Sequence, residues 1–86
     1  MPKMTGGQAV VRSLIDNGVS TVFGIPGVQL DNLFDAFYER RNNLHVIHTR
    51  HEQGAAFMAM GYAQASGKTG VFAVVPGPGL LNAMTA

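Results

Sequence analysis

An α/β fold, with a doubly wound parallel sheet of βαβ units, is predicted by two features of this 86-residue chain. Apolar runs that read as strands begin near residues 21, 44 and 70, and a helical pattern fills each gap. Alternation of that kind means right-handed crossovers that return the chain to the same sheet. The second feature is Gly70-Val71-Phe72-Ala73-Val74-Val75, a continuous apolar run that suits a central strand covered on both faces.

Each element carries its own signals. Thr5 can cap a first helix reaching about residue 17, with Val10, Val11, Leu14 and Ile15 on one face and Gly18 as its stop. Val22-Phe23-Gly24-Ile25 reads as a short strand halted by Pro26-Gly27. A second helix is expected over residues 30–40, because Leu30, Leu33, Phe34 and Phe37 recur at i, i+3, i+4 and i+7. Asp31, Asp35 and Glu39 line its other side as a solvated face. Leu44-His45-Val46-Ile47-His48 reads as the second strand, and residues 52–66 as the third helix, with Gly67 its C-cap.

That third helix has almost no polar face. At roughly 100° per residue, Glu52, Ala55, Ala56, Ala59 and Ala63 share one side, where another backbone can approach closely. Phe57, Met58, Met60, Tyr62 and Ala65 fill much of the rest, leaving Gln53 and Gln64 as a thin polar seam. Such a helix is expected to be buried nearly all round. The final residues, Gly79-Leu80-Leu81-Asn82-Ala83-Met84-Thr85-Ala86, look like a helix cut off in its second turn. Residues 1–86 therefore read as the N-terminal part of a longer protein, an incomplete domain truncated at its C-terminus.

Composition narrows the function classes. A net charge of +1, with Lys3, Arg12, Arg40, Arg41, Arg50 and Lys68 dispersed, leaves no basic stripe for nucleic acid. The absence of cysteine excludes disulfides and thiolate metal sites and fits a reducing compartment. No signal peptide or run of about 18 apolar residues is visible, so a cytoplasmic chain with no membrane contact is expected.

Arg50-His51-Glu52-Gln53-Gly54-Ala55-Ala56 places a carboxylate at the start of the apolar helix. An acid there ordinarily serves the helix dipole and its free amides. At the edge of a poorly solvated region, however, it is expected to keep its proton longer than in water and to exchange it near neutral pH. Ligands of open parallel sheets bind beyond the carboxyl ends of the strands. Three segments meet at that edge: Pro26-Gly27-Val28-Gln29, Thr49-Arg50-His51-Glu52 and Pro76-Gly77-Pro78-Gly79. Two are glycine-rich turns where backbone can come close to a ligand. This convergence raises Glu52 above an ordinary helix-start acid.

Other chemistries are weaker. Gly77-Pro78-Gly79-Leu80-Leu81-Asn82 superficially resembles a dinucleotide fingerprint but has Asn82 where the third glycine belongs. His45 and His48, three apart on a strand, point to opposite faces, and no His-Glu-x-x-His pair accompanies them or His51, so no metal site is expected. Ser13, Ser20 and Ser66 lie in no nucleophile-elbow motif.

Three motifs in order carry a resemblance over nearly the whole chain from Thr5 onward. They are Val22-Phe23-Gly24-Ile25-Pro26-Gly27; Arg50-His51-Glu52-Gln53-Gly54-Ala55-Ala56 with Gly61-Tyr62-Ala63; and Gly77-Pro78-Gly79-x-x-Asn82-Ala83. The chain resembles the N-terminal pyrimidine-binding domain of thiamine diphosphate-dependent enzymes, nearest the acetolactate synthase, benzaldehyde lyase and benzoylformate decarboxylase group. The resemblance implies a lyase or carboligase acting on 2-keto acids or 2-hydroxy ketones. It implies that Glu52 hydrogen-bonds N1′ of the cofactor's aminopyrimidine and so promotes removal of the thiazolium C2 proton. Pro26 and Gly27 match the turn that contacts the pyrimidine, Pro78 and Asn82 the second turn beside it. Val28 and Gln29 stand where members vary their substrate pocket.

The resemblance also implies a homodimer or homotetramer with the site at a subunit interface. Mg²⁺ would be bound by a diphosphate-binding domain that is absent here, and some members also hold FAD. Without that domain the 86 residues alone are expected to be inactive and unable to anchor the diphosphate. Val75-Pro76 stands where the family often has Thr-Ser or Thr-Ala, which removes a hydroxyl from the cofactor's surroundings. Two alternatives remain: the small subunit of a split 2-keto acid decarboxylase, and a catalytically silent α/β interaction module.

Overall fold

Strand β1 (Thr21–Gly24) is the centre of the molecule, and the computed structural model describes residues 3–86 around it. The element order is α1 (Gly6–Asp16), β1, a short 3-10 turn (Val28–Leu30), α2 (Asp31–Glu39), β2 (His45–His48), α3 (Glu52–Ser66), β3 (Phe72–Ala73) and α4 (Pro78–Ala83). The strands form a parallel sheet in the order β2-β1-β3. Thr21 to Gly24 pair in register with His45 to His48, and Phe23 and Gly24 with Phe72 and Ala73. This is the α/β architecture expected from the alternation of strand and helix patterns.

Adjacent residues of a strand face opposite ways, and β1 shows which helices cover each face. Val22 is fully buried in a cluster with Val11 of α1, Ala36 and Phe37 of α2, and Leu44. Phe23 turns the other way and packs with Ala55 and Ala59 of α3. The ring of Tyr62 meets Phe23 edge-on, with centroids 5.9 Å apart. Helices thus lie on both faces of the sheet, as a doubly wound connection requires.

The helix ends follow their local chemistry. The Thr5 hydroxyl accepts the Gln8 amide at 3.1 Å, and the Gln8 side chain accepts the Thr5 amide at 2.9 Å, a reciprocal capping box. Gly67 closes α3 in the left-handed conformation, φ 73°, where a side chain would be strained. Asp31, Asp35 and Glu39 are exposed on α2, as their spacing implies.

Two expectations are corrected. The apolar run from Gly70 to Val75 is not a central strand. Within the described residues only Phe72–Ala73 pairs, at the sheet edge, and Phe72 is exposed. Its flanks are used elsewhere: Gly70 packs against the Ala59 carbonyl of α3, and Val75 leaves the sheet to fill the space beside Gly27 and Gly79. Nor is α3 buried all round. Ala55, Ala56 and Ala59 face the interior, but Phe57, Met58 and Met60 are exposed, because one sheet face and α4 cover only the alanine side. Smaller shifts put the start of α2 at Asp31, after the 3-10 turn, and its end at Glu39. Among the described residues no helix is long and apolar enough to cross a membrane.

Candidate functional site at the carboxyl edge of the sheet

All three strands are parallel, so the segments that follow them leave at one edge. After β2 the chain is held tightly: the Thr49 amide donates to the Gly24 carbonyl at 3.0 Å, and the buried Thr49 hydroxyl donates to the His51 carbonyl at 3.1 Å. His51 then caps α3, its Nδ1 accepting the Gln53 amide at 3.0 Å. Glu52 is thereby fixed as the first residue of the helix.

The other two turns close on Val75. A Cβ added to Gly27 would collide with Val75 Cγ1, and one added to Gly79 would lie 2.8 Å from Val75 Cγ2 and 3.6 Å from Cγ of Glu52. The two glycines thus let their backbones pack on a valine, where the sequence suggested only room for a ligand. Gly77, with φ 75°, supplies the left-handed bend that admits Pro78 as the first residue of α4. From α4 the Asn82 amide nitrogen donates to Glu52 Oε1 at 3.3 Å.

The carboxyl of Glu52 is not raised in pKa, as its setting beside an apolar helix suggested, but lowered from its ordinary 4.5. The backbone amide at the helix start is the largest cause, followed by the Asn82 hydrogen bond. Partial desolvation pushes the other way and loses, and nearby His51 adds a smaller lowering. The edge is open to water, so charge is favoured, and Glu52 is ionised at neutral pH.

The structure brings together Gly27, Glu52, Gly79 and Asn82, with Val75 between the turns. Pro26 and Pro78 are exposed at the lip of the same turns. Val28 and Gln29 open the 3-10 turn after Gly27, with Val28 exposed to 87% and Gln29 also outward. Among the described residues neither joins the hydrogen bonds around Glu52. Sequence reasoning read Val75 as the end of a strand and noted the hydroxyl it lacks, but missed its place between the turns. The paired glycines at 27 and 79 were the available signal. It placed Thr49 at this edge but missed the buried hydroxyl's bond to the His51 carbonyl.

Comparison with known proteins gives this edge its context. Residues 4–86 match the family described as thiamine pyrophosphate enzyme, N-terminal TPP binding domain. A probable 2-ketoarginine decarboxylase of Pseudomonas aeruginosa is 52% identical over 83 residues, 96% of this chain and 14% of that protein. The acetolactate synthase isozyme 2 large subunit of Escherichia coli is 48% identical over 82 residues, 95% of this chain and 15% of the relative. An acetolactate synthase of Mycobacterium avium is 45% identical over 84 residues, 98% of this chain and 13% of the relative. The chain thus spans about a seventh of the length of these curated relatives. Matched from Met4 to Ala86, it belongs to the thiamine pyrophosphate enzyme family, through that family's N-terminal TPP-binding domain.

Proposed function

We propose that residues 1–86 are the N-terminal, pyrimidine-facing part of a thiamine diphosphate-dependent lyase or carboligase acting on 2-keto acids or 2-hydroxy ketones. The observation that carries the reading is the Glu52 carboxyl, held at the head of α3 between two turns that meet at the sheet's carboxyl edge and hydrogen-bonded there by Asn82. A decarboxylase of a 2-keto acid and acetolactate synthases among the relatives support the substrate class.

The donor set suits the cofactor's aminopyrimidine. Pro26 and Pro78 offer flat apolar surface at the lip, and the carboxylate is an acceptor for a protonated ring nitrogen. When bound, thiamine diphosphate supplies the carbon nucleophile and the electron sink. Glu52 holds and exchanges the proton at N1′, while Pro26, Gly27 and Pro78 seat the ring and Asn82 stands beside them. Val28 and Gln29, outward on the 3-10 turn, face the substrate. Mg²⁺ and the diphosphate are held by residues outside these 86. A second subunit covers the open edge in a homodimer or homotetramer, and the water it removes pushes the Glu52 carboxyl back up toward the working pH.

Glu52→Gln in the full-length enzyme tests this. Glutamine keeps the shape but carries no exchangeable carboxyl proton. Hydrogen–deuterium exchange at the cofactor's C2 should fall by about 10²–10⁴-fold, the usual contribution of general acid–base catalysis. Wild-type exchange in a folded Glu52→Gln protein would sink the assignment.

A further inference from the structure

We propose that Asn82 is a positioning residue that acts through Glu52, gripping the carboxylate rather than the cofactor. The inference rests on the role given to Glu52 above and adds the group that aims it.

Glu52 opens α3 and Asn82 lies thirty residues on in α4, so folding and not local sequence joins them. Gly79 and Asn82 are three apart and share one face of α4. The buried residues of α4, Gly79 and Ala83, lie on this side, whereas Leu80 and Leu81 are exposed on the other. The helix therefore turns Gly79 and Ala83 inward and holds Asn82 at the exposed margin of that side. Gly79 brings the backbone so near that a Cβ there would touch Cγ of Glu52, and Asn82 completes the approach with a donor to Oε1.

An ionised carboxylate only accepts hydrogen bonds, and an amide NH₂ only donates them. The pair has one polarity and cannot reverse. Among the described residues no other side chain donates to Glu52. The carboxylate's rotation about its last bond is broad and soft, so a donor on one oxygen sets the plane in which the other is presented. That is the degree of freedom that matters for a proton handed to a ring nitrogen.

The contact can be read without any cofactor. In the full-length protein with ¹³C-labelled glutamate carboxyls, the Glu52 signal is assigned by its loss in Glu52→Gln and titrated in the cofactor-free state. Asn82→Leu keeps the size and removes the donor, and Asn82→Gln keeps an amide. Asn82 is exposed, so neither change threatens the fold. The expected result is a higher Glu52 midpoint in Asn82→Leu and a smaller rise in Asn82→Gln. In the loaded enzyme, Asn82→Leu should slow C2 exchange by up to roughly 10²-fold, the scale for a misplaced reacting group. Its affinity for thiamine diphosphate should change far less. An unchanged midpoint in Asn82→Leu would overturn the proposal, as would an affinity loss as large as the rate loss, which marks a direct cofactor contact. The cofactor-free titration would read the contact even if Glu52 never met a cofactor, so failure of the functional reading is told apart from failure of this one.

Discussion

Cγ2 of Val75 lies 2.8 Å from the point a Cβ on Gly79 would occupy, and Cγ1 of the same valine blocks the equivalent point on Gly27. One side chain thus sets how closely the two turns of the site approach. Gly79→Ala should destabilise the protein by about 1–3 kcal/mol, the usual range for forcing a methyl into filled space. Val75→Ala should restore much of that loss in the double variant, a coupling readable in a double-mutant cycle of urea unfolding. Additive losses would mean that the turns relax independently.

Acid should expose the environment of Glu52. Its carboxyl is lowered because the helix-start amide and Asn82 favour the charged form. A lowered folded value contributes stability that is complete above the ordinary 4.5 and disappears as pH falls through the folded value. In residues 1–86 without a covering subunit, the stability difference between the unchanged chain and Glu52→Gln should therefore shrink toward low pH. Chemical denaturation at several pH values would show this. A difference moving in favour of wild type on acidification would indicate a raised carboxyl instead.

Gln29 offers a test of the substrate assignment. Gln29→Ala in the full-length enzyme should change the relative kcat/KM among 2-keto acids while leaving C2 exchange near wild type. Equal losses for every substrate would place Gln29 in support of the fold or the cofactor.

The outer side of α3 predicts association. Phe57, Met58 and Met60 are each about two-fifths exposed, beside the exposed Phe72 at the sheet edge. Residues 1–86 alone should self-associate through this apolar surface, and Met58→Lys should weaken the association. Sedimentation velocity across a concentration series would measure both. A monomer at high concentration would show that the surface tolerates water.

Much of this molecule was legible in its residues because local rules and the tertiary fold agree. Thr5 and Gln8 form the capping box that their spacing allows, and Gly67 ends α3 in the conformation that favours glycine. The convergence of three segments at one edge followed from parallel strands alone. What failed depended on neighbours distant in sequence. The run from Gly70 to Val75 has the composition of a central strand, but order in a sheet is set by pairing, and β1 holds the centre. Glu52 sits beside an apolar helix, yet its charge state answers to a helix-start amide and to Asn82, a partner no periodicity reveals. Exposure of Phe57 and Met60 depends on what covers the helix, which composition does not encode.

The two apolar clusters also differ in when they can form during synthesis. The buried members of the first, Val11, Val22, Ala36, Phe37 and Leu44, all precede residue 45, whereas the second joins Phe23 to Ala55 and Ala59. Chains emerge from the ribosome N-terminus first. The Val22 side of β1 can therefore close with α1 and α2 while the helix headed by Glu52 is still being made. Phe23, on the opposite side of the same strand, must wait for that helix. A chain released near residue 50 would hold the buried members of one face of the sheet and none of the helix that covers the other, leaving Phe23 bare as a target for a chaperone that recognises exposed aromatic surface.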